Sequence, residues 1–384
     1  MDPTRVYQHS NPGRLIFGPG AIGELKREFS TKDRPFLITD EGIVRTGILK
    51  RVTDVLAEAG VRYELFDRVE EDPSIEVVEE SAGLYRESGC TSIIGLGGGS
   101  AMDVAKAVAV VGAGGGDLRE HMRGKPVAGP LPLLCAIPTT AGTGSEATNV
   151  AVIADKERKV KAVLKGPALA PQIAVLDPLL LASVPPRLAA QTGADALTHA
   201  IESYFVPTGQ AITDALALSA IRIIAANLPS FVTNARDAAA AGQMLLASCM
   251  AGMSFKNTGL ALVHSLSHPA GAYFHVAHGL ACALYLPVVM EFNAPVCAEK
   301  LSSIANAAGV DIRGLSVERA ATESVRAVRD LLANVGLPRT FSDMGIDFEL
   351  HPKMVDDALD MPATKNNPRA VDRDQLAALF MSVR

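Results

Sequence analysis

Six short, almost unbroken apolar runs punctuate the first half of the chain: residues 15–18 (LIFG), 36–40 (FLITD), 63–67 (YELFD), 92–98 (SIIGLGG), 133–138 (LLCAIP) and 173–177 (IAVLD). Between them lie segments such as 47–60 and 73–89, whose apolar residues recur every three or four positions. Few architectures accommodate strands that alternate with helices. Parallel neighbours need a crossover helix, and helices on both faces bury each strand twice, so the strands read as continuous apolar runs. The alternation stops near Pro185-Pro186, where Ala- and Leu-rich helical windows take over, among them 211–227, 238–253 and 316–332. Gly336-Leu337-Pro338 and Asn366-Asn367-Pro368 interrupt them. The pattern predicts an α/β, Rossmann-like N-terminal domain with a mostly parallel sheet over residues 1–185. An all-α C-terminal domain is expected over residues 186–384.

Charge and composition remove several functional classes. The chain has 36 basic and 42 acidic residues, a net charge of −6, and so lacks the basic balance that nucleic-acid phosphates reward. Trp is absent and aromatic residues make up 5%, which leaves no stacking platform for single strands. No stretch reaches the roughly 18 uninterrupted apolar residues of a membrane span, and none is expected. Residues 1–18 carry no apolar signal core. The five cysteines, at 90, 135, 249, 282 and 297, are odd in number and show no close pair. They read as reduced thiols in a cytoplasmic setting.

Two loops after apolar runs invite a phosphate-bearing ligand. Gly97-Gly98-Gly99-Ser100-Ala101-Met102-Asp103 follows one run and precedes a helix expected over 104–111. Glycines permit close backbone approach, and a helix start offers free N–H groups and a positive dipole end. Pro138-Thr139-Thr140-Ala141-Gly142-Thr143-Gly144-Ser145 follows another run with donors suited to phosphate or ribose. Each alone could equally be a tight turn or a helix cap. Together, at strand ends where open α/β sheets bind ligands, they favour a nucleotide. Asp40 ends a third run. It is either a turn residue or an acceptor for a ribose diol that would repel a 2′-phosphate.

The second half holds the sharper cluster. Asp195 and His199 stand four apart in GADALTHAIES and share a helical face. His264 and His268 repeat that spacing, His278 follows, and four of the eight histidines fall between 264 and 278. One carboxylate and several imidazoles among apolar neighbours suit a borderline divalent cation, Fe²⁺ or Zn²⁺, with a position open to substrate. His275 is read as a lining residue, and His9, His121 and His351 as surface residues. Lys161 follows a charged run, DKERKVK, that reads as a solvated hairpin.

Six motifs in order resemble the iron-containing (group III) alcohol dehydrogenases: FGPGA (17–21), GGGSAMDVAK (97–106), PTTAGTGSEAT (138–148), DPLL (177–180), GADALTHAIES (193–203) and HSLSHPAGAYFHVAHG (264–279). The resemblance implies a dehydroquinate synthase-like architecture, with a dinucleotide-binding domain followed by a helical metal domain. It implies metal ligands Asp195, His199, His264 and His278, and a catalytic His268 beside the nicotinamide. It further implies cofactor contacts at Asp40, Gly97, Gly98, Gly99, Ser100, Asp103, Thr139, Thr140, Thr143 and Lys161, with NAD preferred to NADP because Asp40 is acidic. Phe255, in GMSFKN, falls in the segment that lines the pocket, and the neighbouring Lys256 could face solvent or an anionic substrate. The expected reaction is reversible hydride transfer between NAD(H) and a small alcohol or aldehyde, in a homodimer. The alternatives are reduction of a phosphono-, sulfo- or carboxy-aldehyde and, further off, a dehydroquinate synthase-like lyase. Residues 190–280 disfavour the lyase, since their only Lys and Arg are Arg222, Arg236 and Lys256.

Overall fold

The computed structural model describes residues 8–11, 13–127, 130–157 and 160–384, and the side chains of all of these except 113 and 160–162. The chain divides into two compact units, Asn11–Ser183 and Val184–Arg384, the second including residues 8–10.

In the first unit all six apolar runs form strands: β1 (Arg14–Phe17), β2 (Pro35–Ile38), β3 (Glu64–Phe66), β4 (Ser92–Gly97), β5 (Leu133–Pro138) and, after a hairpin of β6 (Val150–Asp155) and β7 (Val160–Lys165), β8 (Ile173–Leu176). The six make one sheet in the order β1-β8-β5-β4-β2-β3, and every pairing is parallel. Between the strands run α1 (Leu25–Glu28), α2 (Glu41–Arg45), α3 (Ile48–Glu58), α4 (Ile75–Ser88), α5 (Gly99–Val108) and α6 (Leu118–Met122). β2, β4 and β8 are buried along their whole length, which is why their sequences do not alternate. The strand order also reverses here. β2 leads outward to β3, whereas β4 leads the other way to β5, so the ends of β2 and β4 flank a topological switch point. One expectation needs correction: the helix read from residue 104 begins at Gly99, because extended Gly98 caps it. Gly97 closes β4, Gly98 caps the helix, and Gly99 opens its first turn.

The second unit is helical: α7 (Pro186–Phe205), α8 (Ala211–Thr233), α9 (Ala238–Thr258), α10 (Leu262–Phe274), α11 (His278–Ala307), α12 (Val317–Asn334), α13 (Pro352–Asp360), α14 (Pro362–Lys365) and α15 (Arg373–Met381). α7 opens with Pro186 at its first turn, where a missing N–H costs nothing, and packs against α8, α9 and α11. α8, α9 and α11 are long and apolar enough, by length and composition alone, to cross a membrane. In α9 and α11, 67% of the most apolar window is buried inside the protein, against 33% in α8. Between α10 and α11 the chain turns at His275, a non-glycine residue in the left-handed region at φ 53°. That turn places His278 at the first position of α11. His121, read as a surface residue, is buried, with Nδ1 3.1 Å from the Lys125 carbonyl oxygen.

Candidate active site

α7, α10 and α11 converge on one polar cluster inside the apolar helical unit. Asp195 and His199 leave one stripe of α7, and Asp195 Oδ1 lies 3.7 Å from His199 Nε2. His278 Nε2, from α11, approaches the same oxygen at 3.5 Å. His264, from α10, stacks on His199 with ring centroids 4.9 Å apart and lies 5.2 Å from the His278 ring. Asp195, His199 and His264 are buried, whereas 40% of the His278 side chain is exposed, which leaves the cluster an open side.

Two atoms of this cluster lack any hydrogen-bond partner although they are buried: Asp195 Oδ1 and His264 Nε2. Burying polar atoms unpaired is costly. The donor set explains them. Ligands about 2.1 Å from a shared ion at tetrahedral angles stand about 3.4 Å apart, close to the spacings around Asp195 Oδ1 and too long for hydrogen bonds. Donor atoms of Asp195, His264, His278 and Cys282 all fall within 4.8 Å of one another. One carboxylate and neutral imidazoles fit a divalent cation. The imidazoles are suitably neutral where the ring is deepest. Burial, followed by the neighbouring His199 and His268, holds the His264 pKa well below its ordinary value.

Around the cluster stand the other sequence candidates. His268 is 5.3 Å, ring to ring, from His278 and 6.2 Å from His264, set beside the donors. Phe255 stacks on the outer face of His199 at 4.5 Å, as a wall would. Lys256, beside it on α9, is half-buried, and burial lowers its pKa.

Two residues of the cluster were not singled out from sequence. Glu202 is fully buried and accepts a 2.6 Å hydrogen bond from His264 Nδ1. Cys282 Sγ lies 3.7 Å from His278 Nε2, and burial raises its pKa well above the ordinary thiol value. The available signal was spacing. Glu202 is three residues past His199, and Cys282 four past His278, each on a shared helical face.

The first unit gathers the other candidate residues at the carboxyl ends of β2, β4 and β5. Asp40 caps α2, its Oδ1 accepting from the Ile43 N–H at 3.0 Å. Across the switch point, Gly97 sits at φ 151°, and a Cβ there would lie 3.3 Å from Asp40 Oδ2 and 2.8 Å from the Ala101 Cβ. Gly98 and half-buried Ser100 flank Gly99, where a Cβ would come within 2.9 Å of Thr143. Thr140 packs against Gly98, and Thr139 ties β5 to β4 through a 2.9 Å bond from its N–H to the Gly97 carbonyl. Bare backbone at the N-terminus of the ten-residue α5 makes a cradle that side chains would fill, and it fits a pyrophosphate.

Asp103 is turned the other way. Its oxygens accept from Ser145 Oγ at 2.8 Å and the Val152 N–H at 2.9 Å, and burial raises its pKa. Buried Lys106 joins the same network through Ser145, Thr148 and the Val150 carbonyl. Lys161 lies on β7 opposite Ala154, and its side chain is outside the described residues.

Comparison with known proteins agrees along the whole chain. Residues 12–178 match the family described as iron-containing alcohol dehydrogenase, and residues 189–383 match the Fe-containing alcohol dehydrogenase family, C-terminal. Lactaldehyde reductase of Escherichia coli (strain K12) is 39% identical over 368 residues, 95% of this chain and 96% of that one. NAD-dependent methanol dehydrogenase of Bacillus methanolicus is 34% identical over 372 residues, 96% and 97% of the two chains. A crystal structure of 1,3-propanediol oxidoreductase superposes with a TM-score of 0.95 at 34% identity, covering 99% of this chain and 100% of that one.

Proposed function

The chain belongs to the iron-containing alcohol dehydrogenase family, and we propose that it interconverts a small alcohol and its aldehyde with NAD(H), using Fe²⁺, or Zn²⁺ in its place, held by Asp195, His199, His264 and His278. The observation that carries this reading is the pair of buried, unpartnered atoms Asp195 Oδ1 and His264 Nε2: the first lies 3.7 Å from His199 Nε2 and 3.5 Å from His278 Nε2, and donor atoms of Asp195, His264 and His278 lie within 4.8 Å of one another. Family membership decides against the lyase alternative.

When bound, the ion and the nicotinamide would supply Lewis-acid polarisation of the substrate oxygen and a hydride acceptor or donor. The protein's own groups do the rest. Asp195 contributes the only charged ligand and keeps the imidazoles close. His268 takes the alcohol proton and returns it in the reverse direction, a role open to a neutral imidazole, which carries both an acceptor and a donor nitrogen. Phe255 closes one side and limits the substrate to a small group. In the first unit, the N–H groups of Gly99 and Ser100, with Thr139, Thr140 and Thr143, would hold the pyrophosphate, Asp40 would accept from the ribose, and Lys161 would complete the cofactor contacts.

One observation favours an anionic aldehyde as a second reading. Lys256 is half-buried next to Phe255, and no carboxylate is paired with it among the described residues. The protein is proposed to act as a homodimer in the cytoplasm, where its five free, buried cysteines remain reduced.

The test is NADH consumption with small neutral and carboxylated aldehydes, with and without a chelator, alongside metal analysis. Wild type should carry about one Fe²⁺ or Zn²⁺ per chain and lose turnover on chelation. His264→Ala should lose the metal and slow turnover about a thousandfold, the equivalent of about 4 kcal/mol. A metal-free variant that stays fully active would overturn the ligand assignment.

A further inference from the structure

We propose that Glu202 is a positioning residue that holds His264 in the one tautomer able to bind a metal ion. This rests on His264 being a ligand, as read above. Glu202 is seven residues past Asp195 and three past His199, so the three side chains leave one stripe of α7. It is 0% exposed and accepts hydrogen bonds at both carboxylate oxygens. Oε1 accepts from the Val263 N–H at 2.5 Å. Oε2 accepts from the Ala261 N–H at 3.1 Å and from His264 Nδ1 at 2.6 Å.

Ala261 caps the N-terminus of α10 and Val263 is its second residue. The carboxylate therefore meets free N–H groups of a thirteen-residue helix at the end where the dipole favours an anion. Burial pushes the Glu202 carboxyl up to about 7, and these N–H donors act against that rise. With Nδ1–H donating to the carboxylate, a neutral imidazole has its lone pair at Nε2. Nε2 is the buried atom that lacks a partner. In the opposite tautomer, a ring lone pair would face the carboxylate and an N–H would point into the donor cluster.

Glu202 is not itself a ligand. It meets the His264 ring at the nitrogen opposite Nε2, and its oxygens serve other donors. Its part is to orient the ring and choose the protonated nitrogen, as outer partners of metal-bound histidines do in general. A carboxylate that merely fastened α10 to α7 would need only the two backbone bonds.

The experiment uses full-length, metal-free wild type, Glu202→Gln and Glu202→Ala, with ¹⁵N-labelled histidine. The His264 resonances are assigned by their loss in His264→Gln. Long-range ¹H–¹⁵N spectra report the tautomer, Co²⁺ competition titrations report affinity, and circular dichroism reports folding. In wild type the His264 proton should sit on Nδ1. Glu202→Ala should release that constraint, shift the proton toward Nε2 and weaken Co²⁺ binding about ten- to a hundredfold. Glu202→Gln, which still offers one acceptor oxygen, should fall between the two. A proton on Nε2 in metal-free wild type overturns the proposal, as does a folded Glu202→Ala that binds Co²⁺ within twofold of wild type. If the Ala variant does not fold, the wild-type tautomer and the affinity of Glu202→Gln decide by the same criteria. If wild type binds no Co²⁺, the metal reading fails, while the tautomer still decides what Glu202 does.

Discussion

Asp40 and Asp103 flank the same glycine-rich turn, and their surroundings assign them different work. Asp40 spends one oxygen on the Ile43 N–H and keeps the other toward Gly97. Asp40→Asn keeps the cap, since Asn caps as well as Asp, and removes the charge. It should raise the NADP-to-NAD ratio of kcat/KM by about tenfold or more, the discrimination expected when a like charge is removed. An unchanged ratio would count against the ribose role. Asp103 has both oxygens bonded within the fold, so Asp103→Asn sets an amide against one of two donors and should destabilise by about 1–3 kcal/mol. That deficit should depend on pH. Burial raises the folded pKa of Asp103 above the unfolded value of about 3.9. Its contribution is therefore fully present below that pH and is lost as pH rises through the folded pKa. Asn does not titrate, so the gap in urea midpoints should narrow as pH rises, and a gap that widens would refute the sign. Asp195 and His199 were legible in the sequence because their partner lies one helical turn away. Glu202 was not, because its partner lies 62 positions further on and a carboxylate at that spacing reads equally well as solvent-facing.

At the level of elements, the strands were readable because burial on both faces leaves no room for polar residues. The junction of β4 and α5 was less so. Gly97 needs φ 151° and open space, and nothing in the letters GGGS separates a turn from the first turn of a helix. Gly97→Ala would place a methyl group 2.8 Å from the Ala101 Cβ in an unfavourable backbone region. It should cost about 1–3 kcal/mol in urea unfolding and weaken NADH binding measured by fluorescence. The turn between α10 and α11 was illegible for a different reason. It is made by His275 at φ 53°, at a helix end where Gly is the usual residue and Asn the next.

For the whole molecule, the α/β and helical composition of the two halves was plain from where the strand patterns end, but association was not. β1 is an edge strand with one neighbour, and it leaves Leu15 39% and Phe17 44% exposed. Apolar side chains on an open edge invite pairing with another copy of the chain. Sedimentation should show a dimer of the 40.2 kDa chain, and Phe17→Lys should shift it toward monomer. A wild-type monomer at micromolar concentration would exclude that edge as an interface. The proposed ligands come from three separate helices, with the first and last at positions 195 and 278. An ion gripped in this way is also a removable cross-link: it closes long loops of backbone at a single point and stabilises only the folded form. The supply of the divalent ion would then set how long the protein survives as well as how fast it turns over.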